Sequence, residues 1–101
     1  MNNENKYVLT DNTEAKQFEL IVEGHKTRIE YILMGNKIFF THTEVPIQLE
    51  GKSIGSKIVK LALENIEARN LKLVPLCPFT AAYIKRHPEW ERVLATDVKL
   101  K

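Results

Sequence analysis

The stretch VPIQLEGKSIGSKIVKLALE, residues 45–64, decides how this chain is read. It leaves a strand-like segment, passes a turn containing Gly51 and Gly55, and enters a run with helical apolar spacing. Gly51-Lys52-Ser53 is also the tail of a nucleoside-triphosphate P-loop. That motif needs a further glycine five positions ahead of Gly51, and the position holds Pro46, so the reading fails on spacing. What remains is a strand–turn–helix junction. The backbone N–H groups of residues 51–56 face outward at the positive end of the helix. Such an end holds a phosphate or pyrophosphate without any side-chain charge. Gly51 and Gly55 permit close approach, and Lys52 can add a charge. The same residues also fit a plain helix entry with a flexible turn, because a lone Gly-rich turn is a common signal.

The chain on the N-terminal side reads as antiparallel strands. Residues 1–13 are polar and expected to fray. Phe18, Leu20 and Val22 alternate with Glu19, Ile21 and Glu23, the period of a strand. A turn at Gly24-His25 leads into Thr27–Met34, with Ile29, Tyr31 and Leu33 on one face. Gly35-Asn36 separates two β-rich runs by two residues, a hairpin signal. The return strand is expected over Lys37–Val45, with Ile38, Phe40, His42 and Glu44 sharing a face. Pro46 ends it.

On the C-terminal side a helix is expected from Ser53, whose hydroxyl suits a cap, to near Asn70. Ile58, Val59, Ala62 and Ile66 form its apolar stripe; Lys57, Lys60, Glu64 and Glu67 form its wet face. Leu71–Leu76 has the length and composition of a parallel strand buried on both faces. Cys77-Pro78 opens a second helix over Phe79–Arg86, since proline suits the first helical position, and Pro88 limits it. Glu89–Leu94 reads as a further short turn of helix, and Asp97–Lys101 as a last edge strand. The order is therefore three antiparallel strands, helix, strand, helix. That is a mixed α/β (α+β) sheet turning from antiparallel to parallel at one crossover. Ligands favour the carboxyl ends of such strands.

The bulk composition narrows the function. A chain of 101 residues is expected to form one domain over 1–101, and 44% apolar content supports a core. Fifteen basic residues against thirteen acidic leave a net charge of +2, with both signs interspersed. Neither nucleic acid nor an anionic membrane is an expected partner. One cysteine makes no internal disulfide, and no apolar leader or spanning segment is seen, so a cytoplasmic protein is expected. Three histidines and one cysteine without ligand spacing give no metal site.

Four residues carry candidate chemistry. Cys77 stands at a helix N-terminus, which lowers a thiol pKa; it reads either as a reactive thiolate or as a buried, inert cysteine. Tyr83 reads as a general acid or as a core residue with its hydroxyl at the surface. His42 and Glu44 read as a base for an acceptor ammonium or as polar residues on an exposed sheet face. Trp90 and Phe79 read as core.

The run THTEVPIQLEGKSIGSKIVKLALENIEARNLKLVPLCPFTAAYIKRHPEW, Thr41 to Trp90, resembles the GNAT superfamily of N-acetyltransferases, and within it a minimal, roughly hundred-residue GNAT-like group. The superfamily has Gln/Arg-x-x-Gly-x-Gly/Ala after its fourth strand. Here Glu50 stands where Gln or Arg is usual, Ser53 where the first Gly is usual, and Gly55 matches. Tyr83-Ile84-Lys85 resembles the superfamily Tyr-x-Lys, whose tyrosine protonates the departing thiolate; His87-Pro88 replaces its usual Gly-Phe. The resemblance implies a GNAT-like acyl-coenzyme A N-acyltransferase fold, acetyl-coenzyme A (acetyl-CoA) as cofactor and an unidentified amine as acceptor. The implied coenzyme contacts are Val45, Glu50, Gly51, Lys52, Ser53, Ile54, Gly55, Ser56, Pro78, Phe79, Tyr83, Lys85 and Arg86. The implied route is direct attack, with Tyr83 as acid and His42 or Glu44 as base; the other route passes through acetyl-Cys77. The rival readings are a coenzyme A binding module with little or no catalysis, and an interaction domain that kept the fold. The oligomeric state is open.

Overall fold

The computed structural model describes residues 7–100. Five strands form one sheet in sequence order: β1 (Thr10–Asn12), β2 (Gln17–Val22), β3 (His25–Met34), β4 (Lys37–Glu44) and β5 (Lys72–Pro75). The first four are antiparallel neighbours, and β5 lies parallel to β4. Helix α1 (Ile54–Ala68) makes the crossover from β4 to β5, and α2 (Pro78–Arg86) follows β5. A 3-10 turn over Ile47–Leu49 precedes α1, and another over Pro88–Val93 follows α2.

Two hairpins set the register. In the first, Val22 faces His25 across Glu23-Gly24, both at positive φ (52° and 79°), as a type I′ turn demands. The turn thus sits one residue earlier than expected, and His25 starts β3. In the second, Met34 faces Lys37 across Gly35-Asn36, with Gly35 at φ 60°.

Alternation along β2, β3 and β4 places Phe18, Leu20, Ile29, Tyr31, Ile38 and Phe40 on one face. Helix α1 lays Ile58, Val59, Ala62, Leu63 and Ile66 on that face, closing the core with Leu73 and Ile84. The helix ends in a Schellman turn. Asn70 at φ 58° donates to Glu67 O, and Leu71 N–H donates to Ile66 O.

Four features depart from the sequence expectation. Strand β1 lies in the segment expected to fray; residues 1–6 are outside the described residues. Its polar Thr-Asp-Asn edge is tied down by side chains: Asn12 Nδ2 donates to Glu19 (3.0 Å) and Tyr31 Oη to Asp11 (2.5 Å). Second, β4 carries a bulge. Glu30 faces His42 but Tyr31 faces Phe40, so Thr41 is the extra residue. Beyond it the two faces exchange. Ile38 and Phe40 point into the core, whereas His42 and Glu44 point to the outer face and are exposed, so the four do not share a face. Third, β5 is covered on one face only. Leu73 is fully buried, but Val74 lies in an open groove beside Phe39 and Lys85. Fourth, residues 97–100 form no strand, and Lys101 is outside the described residues. Leu94 and Ala95 meet the free edge of β5 instead, with Ala95 N–H donating to Leu73 O (2.9 Å).

Candidate active site

Strands β4 and β5 pair only from Lys37/Lys72 to Phe40/Pro75. Past that point the bulged end of β4 stays with β3, while the chain after β5 turns into α2. Cys77 N–H still donates to Phe40 O (2.9 Å). A notch therefore opens at the carboxyl ends of two parallel strands. The N-termini of α1 and α2 both begin there, the position where α/β sheets bind ligands.

A cleft of about 400 Å³ occupies this end of the molecule, lined by Thr43, Val45, Leu49, Glu50, Gly51, Ser53, Ile54, Gly55, Ser56 and Phe79. Its wall is built by backbone conformation. Gly51 has φ 83° and Ser53 φ 61°, which turns the chain sharply into α1. Ser53 occupies the helix cap position in the left-handed conformation, and its hydroxyl makes no cap bond, contrary to the cap expected from sequence. The leading N–H groups of α1 have no partners within the helix and stand at its positive end. Gly55 is buried under the Phe79 ring: a Cβ there would lie 2.5 Å from Phe79 Cζ. The glycine lets α2 lean its first turn on the first turn of α1.

The cations expected to help are placed elsewhere. Lys52 Nζ pairs with Glu23 across the β2–β3 turn (2.9 and 3.1 Å). Lys85 lines the groove on the outer sheet face, and Arg86 is exposed at the far end of α2. The charged side chain on the cleft wall is Glu50.

Cys77 is the cap residue of α2 and is 4% exposed. Its Sγ lies 3.2 Å from Thr43 Oγ1, the side chain that the bulge turns inward. Burial pushes the thiol pKa up. The Thr43 hydroxyl, the amides of Thr80 and Phe79, and the Thr80 hydroxyl outweigh it and bring the thiol below its ordinary value. Sγ closes no cap bond of normal geometry onto the helix, so the amides act as nearby dipoles.

The other candidates stand apart. Tyr83 is buried, packs in the core and stacks on His87, with ring centroids 4.4 Å apart. Burial, then Glu89 and Glu64, raise its pKa. It lies six positions beyond the Cys77 cap, about 9 Å of helix rise. His42 and Glu44 lie on the outer face, where Arg28 Nη2 donates to Glu44 (2.6 Å) and Arg28 Nη1 donates to Glu30. The Arg28 hydrogen bond and charge hold the Glu44 carboxyl below its ordinary value. Trp90 is buried, with the Arg92 guanidinium 4.5 Å over its ring. Phe79 is not core: it is 39% exposed and walls the cleft. Thr43 and Thr80 escaped the sequence reading. The spacing Cys77-x-x-Thr80, from helix cap to third helical residue, was the available signal for Thr80.

A sheet that turns from antiparallel to parallel and splays between its two parallel strands is the build of a GNAT-type fold. The GCN5-related N-acetyl-transferase family matches residues 17–93, and the chain belongs to that family. Among solved structures it is similar to a protein from Staphylococcus aureus described as a "GCN5-like putative N-acetyltransferase". The TM-score is 0.66 at 22% identity, over 87% of each chain. At that identity the likeness speaks for the fold. No curated protein matches this chain in sequence. Among the described residues no helix is long and apolar enough to cross a membrane, and no cluster of metal-ligating side chains is present.

Proposed function

We propose that the protein binds acetyl-CoA in the cleft at the start of α1 and passes the acetyl group through Cys77 to an amine. The observation that carries this reading is the Thr43–Cys77 contact at the notch, beside the cleft. Family membership supplies the reaction class. The donors available to a diphosphate are the backbone amides of residues 53–56, and Val45, Leu49, Ile54 and Phe79 offer an apolar wall to the pantetheine arm.

The Cys77 thiolate attacks the acetyl carbonyl carbon. A C–S bond to Cys77 forms, the C–S bond to coenzyme A breaks, and the coenzyme thiolate leaves and takes a proton from water. A neutral amine then attacks the acetyl-Cys77 carbonyl. The C–N bond forms, the Cys77 thiolate is released, and the amine proton goes to solvent. This scheme assigns no step to His42, Glu44 or Tyr83: His42 and Glu44 stand on the outer face of the sheet, and Tyr83 packs in the core.

Amide chemical shifts recorded during titration with acetyl-CoA test the binding half. Changes centred on residues 51–56 and reaching Cys77 are expected. Unmoved amides at millimolar ligand would mean that the loop is a helix entry only.

A further inference from the structure

Among the described residues two buried side-chain oxygens have no hydrogen-bond partner, Thr27 Oγ1 and Thr80 Oγ1. Both residues are fully buried, where an unpaired hydroxyl costs stability. Thr27 sits in the sheet core and faces Leu20. Thr80 is the third helical residue of α2 and Cys77 is its cap, so the buried hydroxyl stands on the same first turn that Cys77 caps. A neutral thiol is a weak acceptor and leaves such a hydroxyl idle. A thiolate is a strong one. The unpaired state of Thr80 therefore fits a site built for the charged form of its neighbour.

We propose that Thr80 is a positioning residue that works with Thr43. When Cys77 loses its proton, the Thr80 hydroxyl rotates to donate to Sγ, so the thiolate is held between two hydroxyls from opposite sides of the notch. The pair fixes the direction from which the sulfur attacks. This rests on the reading of Cys77 as the reacting thiol, but it makes its own claim about the resting protein. The charged groups of β4, of the turn ahead of α1 and of the end of α2 stand elsewhere or oppose the charge. On β4, His42 and Glu44 face the other side of the sheet. Ahead of α1, Glu50 is on the cleft wall and would oppose a thiolate, while Lys52 is held by Glu23. On α2, Lys85 and Arg86 lie at the far end.

The test is titration of thiolate absorbance near 240 nm in the protein without ligand, with Cys77→Ala as blank. Thr80→Val is expected to move the midpoint up by about one pH unit, Thr80→Ser to restore it, and Thr27→Val to leave it in place. A folded Thr80→Val protein with an unchanged midpoint would overturn the proposal, as would an equal shift in Thr27→Val. A second readout needs no substitution at Thr80. Hydroxyl-proton exchange at Thr80 in the unmodified chain should slow as the thiolate forms, and exchange that stays equally fast on both sides of the midpoint would also overturn it. Neither measurement uses acetyl-CoA, so failure here is distinct from failure of acetyl transfer.

Discussion

Thr43 Oγ1 and Cys77 Sγ meet at 3.2 Å, where the paired portion of β4 and β5 has already ended. The contact depends on the extra residue at Thr41, which turns Thr43 inward and sends His42 and Glu44 out. The hydroxyl joins the α2 amides in favouring a thiolate over a thiol.

A pH dependence of stability follows. The folded-state pKa of Cys77 is below its ordinary value, so the unfolded chain binds more protons between the two values. Stability from this group is fully present above the ordinary thiol pKa and is lost as pH falls through the lowered one. Urea unfolding of wild type and Cys77→Ala over a pH series checks this. The difference in favour of wild type should grow as pH rises through that window and be flat below it.

Ser53 adopts φ 61° without using its hydroxyl as a cap. A left-handed conformation costs a non-glycine residue about 1–2 kcal/mol, partly offset by the entropy glycine loses on folding. Ser53→Gly should therefore stabilise the fold by about 0.5–1 kcal/mol, and Ser53→Ala should change it by less than about 0.5 kcal/mol. Denaturant melts distinguish this from a capping serine, whose loss to alanine costs about 1 kcal/mol.

Glu50 is the charge on the cleft wall, and it opposes a diphosphate. Glu50→Gln should tighten acetyl-CoA roughly three-fold at low salt, with a smaller gain at high salt. Calorimetric titration at two ionic strengths gives both numbers.

Gly55 and Phe79 form one packing unit. Gly55→Ala should cost about 1–2 kcal/mol with Phe79 present, because the new methyl displaces the ring. In a Phe79→Ala background the same change should gain up to about 1 kcal/mol, the ordinary preference of a helix for alanine. A double-mutant cycle of unfolding free energies measures the coupling.

The sheet from β2 to β5 and both helices were legible because apolar periodicity and turn residues agree there. Glycines and Pro78 punctuate these elements, and Phe18, Ile29, Ile38, Ile58 and Leu73 keep a consistent phase. Strand β1 was hidden because Thr10, Asp11 and Asn12 offer no apolar phase; their order comes from partners distant in sequence, Glu19, Tyr31 and Arg69. The bulge was hidden for a related reason. Thr41, His42, Thr43 and Glu44 are all polar, so exchanging the faces breaks no visible pattern. That reversal took His42 and Glu44 away from the notch and brought in Thr43. The turn into α1 was legible through Gly51 and Gly55, but Thr80 owes its place to burial, which a lone threonine does not announce.

The central claim is that the acetyl group rests on Cys77. Intact-mass measurement after mixing the protein with acetyl-CoA, followed by peptide mapping, tests it most directly. One added acetyl group on Cys77 is expected, removable by hydroxylamine, absent in Cys77→Ala, and formed at an unchanged rate in His42→Ala, Glu44→Ala and Tyr83→Phe. Coenzyme A release that continues in Cys77→Ala and stops in Tyr83→Phe would contradict the account and favour direct transfer.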